Sequence, residues 1–141
     1  EDSVSVVFEF DEGVTATYFL SDGTPGPWNY DLAAEENHFF KWCPGENSLK
    51  FFGTKGSLGF PNMDFYSYTD DAHYGWGEEL HKEHFDIEKN DPMTAELEHF
   101  VDLCTGRETK PRCTGEDGIA TLKVINAILE SAETKQIVDI D

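Results

Sequence analysis

A chain of 141 residues with 38% hydrophobic, 13% aromatic and 28% charged residues has a globular composition and suits one compact domain, burying roughly 65–70% of the surface its unfolded form exposes. Its 29 acidic against 10 basic residues leave a net charge of −19, which repels nucleic-acid phosphates and an anionic membrane leaflet and removes both from the expected partners. The acids are spread along the chain, as in a surface kept soluble by charge, and no apolar run approaches the roughly 20 residues that span a bilayer. Cys43, Cys104 and Cys113 form an odd set without CxxC spacing, which argues against a disulfide framework and for a reducing, cytoplasmic setting.

The first segment, VSVVFEF at 4–10, places Val4, Val6, Phe8 and Phe10 on one face of a strand, and Asp11-Glu12-Gly13 supplies a turn. A second arm runs from Val14 to Leu20 until SDGTPGP breaks it near Ser21, and Trp28 to Ala34 reads as a third extended stretch. SLKFFGTKGSLGFP is a second hairpin turning at Thr54-Lys55-Gly56, and MDFYSYT at 63–69 is a further strand. Residues 70–90 mix acids, histidines, glycines and Trp76 without a period and read as a long loop.

Asp91 and Pro92 then open a helix whose Leu97, Phe100, Val101 and Cys104 share one stripe, with Cys104 expected in the core, before Gly106 ends it. Thr114-Gly115-Glu116-Asp117 has the form of a capping box, and Ile119, Leu122, Ile125, Ile128, Leu129 and Ala132 recur at helical spacing behind it. Ile125, in the middle of that stripe, is expected in the helix–sheet core, and Gln136 to Ile140 reads as a closing strand. Strands grouped before helices make the fold α+β: an open, mainly antiparallel β-sheet with two helices packed on one face, in a single domain over 1–141.

Candidate chemistry is sparse. Gly53, Gly56 and Gly59 follow a GxxGxxG spacing inside a hairpin with no helix behind them, and neither GxGxxG nor GxxxxGK[ST] occurs, so no nucleotide cradle and no bound cofactor are expected. His81 and His84, with His73, Glu83 and Asp86 nearby, form a weak i, i+3 pattern better read as solvated surface than as a metal site. Carboxylates are too numerous to single out a catalytic pair, and no nucleophile elbow is present. One passage gathers flat apolar faces with hydrogen-bonding groups: Trp28, Asn29, Tyr30, Glu36, Asn37, His38 and Trp42. Two readings of it stay open, a structural one in which the tryptophans fill core or dimer contacts around a polar turn, and a substrate-facing one suited to a polyhydroxylated ligand. The loop around Trp76 is the other place where substrate would be met.

The run ELEHFVDLCTGRETKPRCTGEDGIATLKVINAILESAETKQIVDI resembles the carboxy-terminal signature of the glucose-fructose oxidoreductase, inositol dehydrogenase and rhizopine-catabolism family (Gfo/Idh/MocA). FFGTKGSLGFP is similar to that family's hairpin turn, and FLSDGTPGPWNYDLAAEEN to its stretch with a Pro-Trp and a Glu-Asn pair. The resemblance implies the substrate-binding and assembly domain of an NAD or NADP-dependent dehydrogenase acting on a sugar, polyol or related hydroxyl compound. The amino-terminal Rossmann domain and all catalytic groups would then lie outside this chain, which alone would be inactive. It also implies a homodimer through the open sheet face and substrate contacts from Trp28, Asn29, Glu36, Asn37, His38 or Trp76. The alternative is a stand-alone, non-catalytic binding or assembly module.

Overall fold

The computed structural model describes residues 2–70 and 72–140. Its fold is α+β, as the grouping of patterns implied, with antiparallel strands throughout. The chain forms two compact units, one from residues 1–24 and 96–141, the other from 25–95.

In the first unit, β1 (Ser3–Glu9) and β2 (Thr15–Ser21) form a hairpin in which Val4 faces Leu20, Val6 faces Tyr18 and Phe8 faces Ala16. The period-2 pattern puts these pairs on one face, and Val4, Val6 and Phe8 are half-buried there. The turn at Asp11–Gly13 holds Glu12 and Gly13 at φ 65° and 80°, the left-handed region that glycine accepts readily. Two helices follow later in the sequence, α2 (Pro92–Thr105), whose first residues belong to the second unit, and α3 (Gly115–Thr134).

The second unit carries α1 (Tyr30–Ala34) and a four-stranded meander of β3 (Leu49–Phe52), β4 (Ser57–Phe60), β5 (Asp64–Ser67) and β6 (His81–His84), ordered β3-β4-β5-β6. The expected hairpin at Thr54-Lys55-Gly56 is present, with Phe52 opposite Ser57 and Gly53 N–H donating to Gly56 C=O at 2.8 Å. Packing is tightest at α1, where Ala33 and Ala34 are each 2% exposed.

Several expectations fail for identifiable reasons. Residues 30–34 are helical, not extended, because the Asn29 side chain accepts from Leu32 N–H at 2.8 Å and caps the turn. Within the 70–90 stretch, β6 forms because Lys82 and His84, on one face of the strand, both reach Asp64 on β5.

Helix orientation is the other correction. On α3 the half-buried positions are Val124, Ala127, Ile128, Ser131 and Ala132, while Ile125 is 46% exposed and Leu122 and Leu129 more so. The helix carries apolar residues round much of its circumference: of the expected stripe Ile128 and Ala132 turn inward, while Val124, Ala127 and Ser131 complete that face in place of Leu122, Ile125 and Leu129. On α2 the half-buried face is Ala95, His99, Asp102 and Leu103, and Cys104 is exposed. That face is selected by the loop after α2: Arg112 N–H donates to His99 Nε2 at 3.1 Å, and the Arg107 guanidinium meets Asp102 at 2.8 Å. Gln136 to Ile140 forms no strand, since Ile137, Val138 and Ile140 are separated from β1 by an open groove of about 790 Å³ and have no ladder partner.

Candidate functional site

The stretch from Trp28 to Trp42 folds around α1. Gly26 makes room at its entrance: a methyl there would lie 2.9 Å from the Trp28 ring, which folds back over the glycine and remains 64% exposed. Tyr30 stacks on Phe60 with ring centroids 5.8 Å apart, and its hydroxyl donates to Glu36 Oε2 at 2.7 Å. Burial of the phenol, then the hydrogen bond to and charge of Glu36, push its pKa up to about 12. Asn37 donates to Asp31 at 3.4 Å and accepts from Phe39 N–H at 3.1 Å. Trp42 Nε1–H donates to Ala33 C=O at 3.3 Å, and Cys43 N–H to Leu32 C=O at 2.8 Å.

The structure joins Tyr30 to Glu36 and Asn37 to Asp31 around the helix that Asn29 caps, and the members of this stretch do not have equivalent roles. Asn29, Glu36 and Asn37 are engaged in internal hydrogen bonds. Trp28 offers a largely open ring, and His38 lies within electrostatic reach of Asp91. Asp91 caps α2 through Met93 N–H and Thr94 N–H, and its carboxyl is held below the usual range, first by the hydrogen bond from the Thr94 hydroxyl. Trp76, after Gly75 at φ 139°, is fully exposed and packs on none of the others. An open indole ring suits stacking on a polyhydroxylated ring, and an imidazole suits hydrogen bonding to one.

Residues that sequence reasoning passed over complete the neighbourhood. Lys89 Nζ donates to Ala34 C=O at 3.1 Å and to Glu35 Oε2 at 3.0 Å, and lies 5.6 Å from the Trp42 ring centroid. Nothing in the spacing of Lys89 and Glu35 announces this contact. On β6, Lys82 Nζ meets Asp64 Oδ2 at 2.9 Å and His84 Nδ1 meets Asp64 Oδ1 at 3.0 Å. The Lys82 hydrogen bond, then that of His84, holds the Asp64 carboxyl below the usual carboxylate range.

The i, i+3 spacing of His81 and His84 sends the two rings to opposite faces of β6, so they do not converge on one ion. His73 pairs instead with Asp70 at 2.8 Å, and among the described residues no three His, Cys, Asp or Glu side chains form a metal-ligating group.

The helix N-termini do not fit a dinucleotide pyrophosphate. Thr114 and Asp117 close the start of α3 in a reciprocal capping box, with Glu116 beside them. Asp91 fills the start of α2, while α1 is a five-residue helix capped by Asn29 and bearing Asp31 in its first turn. Carboxylates repel phosphate where free amide donors would be needed. At Gly56 a methyl would lie 2.8 Å from the Tyr66 carbonyl oxygen and collide with the Phe65 ring, so this glycine serves strand packing. Among the described residues no helix is long and apolar enough to cross a membrane.

The described residues form an α+β fold with antiparallel sheets and an aromatic, hydrogen-bonding cluster around α1. Residues 1–140 match the family described as "Oxidoreductase family, C-terminal alpha/beta domain", and the chain thus belongs to the Gfo/Idh/MocA oxidoreductases as their C-terminal domain. No curated protein and no solved structure matched the chain.

Proposed function

We propose that residues 1–141 act as the single carboxy-terminal, substrate-binding and assembly domain of a cytoplasmic NAD or NADP-dependent dehydrogenase of a sugar, polyol or related hydroxyl compound. Family membership over residues 1–140 carries this reading. In it, an amino-terminal Rossmann domain holds the nicotinamide dinucleotide, which accepts or returns the hydride, and supplies the groups that move the hydroxyl proton. The capped and acidic helix starts of this chain support placing the cofactor elsewhere. By itself the chain is inactive.

The substrate face is the Trp28 to His38 stretch, with Trp28 for stacking and His38 for hydrogen bonding. Asn29, Glu36 and Asn37 shape the turn that presents them. Assembly as a homodimer uses an open sheet face, for which the outer side of β1–β2 offers Val7 and Phe19 at 67% and 62% exposure. The substrate reading is tested in the chain joined to its nucleotide-binding domain, following hydride transfer from D-glucose or myo-inositol. His38→Ala and Trp28→Phe are expected to lower kcat/KM at least tenfold, about 1.4 kcal/mol, with melting temperature unchanged. Activity and stability falling together, or neither moving, would assign the cluster a purely structural role.

A further inference from the structure

We propose that Lys89 is a positioning residue for this substrate face, clamping the turn that carries His38; the inference rests on the reading that the Trp28 to His38 stretch meets substrate. Helix α1 has five residues, far too few to persist by its own hydrogen bonding, so its end is defined by what holds it. Glu35, its C-cap, sits at φ 61°, a left-handed conformation that costs a residue with a Cβ and persists only where the surroundings impose it. The chain leaves that residue directly into Glu36-Asn37-His38, so the Glu35 backbone sets the direction in which His38 is delivered.

Lys89 is placed to impose it. Its ammonium donates to the carbonyl of buried Ala34, at the negative end of α1, and to the Glu35 carboxylate, and it lies over the Trp42 ring. An exposed ion pair alone does little, and Lys89 and Glu35 are 54% and 46% exposed. Here one cation joins a helix end, a left-handed carboxylate residue and an indole that itself donates to Ala33 C=O, so the turn is held at several points.

The test compares Lys89→Met, Lys89→Arg and His38→Ala in the chain joined to its nucleotide-binding domain. Hydrogen exchange is read at the Phe40 and Cys43 amides, which donate to Asn37 and Leu32 carbonyls, together with KM and kcat for D-glucose or myo-inositol. Lys89→Met is expected to speed exchange at both amides at least tenfold and to raise KM about fivefold with kcat within twofold. Lys89→Arg, which keeps the cation, is expected to restore both. Unchanged exchange, or faster exchange with KM raised by His38→Ala alone, overturns the positioning role. Flat KM in His38→Ala as well as Lys89→Met overturns it too, and marks the substrate reading as the part that failed.

Discussion

Tyr30 shows at single-residue scale how the Trp28 to Trp42 stretch is fixed. Burial disfavours the phenolate, and the hydroxyl must also stay protonated to donate to Glu36, so the folded pKa of about 12 exceeds the ordinary value of 10.0. A raised folded value means that this contribution to stability is complete below pH 10 and is lost as pH rises from 10 towards 12, because the unfolded chain releases the proton first. Absorbance titration should therefore show one tyrosine ionising near pH 12, and Tyr30→Phe should abolish that late step. A late step that survives in Tyr30→Phe would mean that the Glu36 contact does not form in solution. Asn29 and Tyr30 were visible in the sequence only as members of a polar, aromatic cluster. Their division into a helix cap and a carboxylate donor depends on a five-residue helix too short to show a period. Lys89 was invisible for a different reason: its partners at Ala34 and Glu35 lie more than fifty positions away.

Among the elements, legibility follows how local the determining signal is. Both hairpins, the α2 start at Asp91 and the α3 capping box at Thr114–Asp117 could be read because turn and cap chemistry sit within a few residues. β6 could not, since HKEH becomes a strand through Asp64 on its neighbour, and no pattern reveals which face of an apolar-rich helix such as α3 turns inward. Two glycine substitutions separate the elements' demands. Gly56→Ala should destabilise by about 1–3 kcal/mol because a methyl meets the Phe65 ring and the Tyr66 carbonyl. Gly118→Ala, in open space within α3, should stabilise by about 0.5–1 kcal/mol through lost unfolded-state entropy. Urea unfolding gives both values, and equal signs would show that the β3–β4 turn or the α3 surface is misplaced.

For the whole molecule, a net charge of −19 and exposed apolar residues act in opposition. Like charge resists pairing of copies, whereas Val7 and Phe19 on the outer side of β1–β2 favour it. Self-association should accordingly tighten as salt screens the charge, and light scattering that finds only monomer at high protein concentration and moderate salt would refute assembly through the sheet. The central claim is that this domain completes an oxidoreductase without holding its cofactor. Its most direct test is calorimetry of the 141-residue chain with NAD⁺ and NADP⁺, beside the same chain joined to its nucleotide-binding domain. No binding to the chain alone and clear binding to the two-domain protein is the expected result. Micromolar affinity in the chain alone would contradict it.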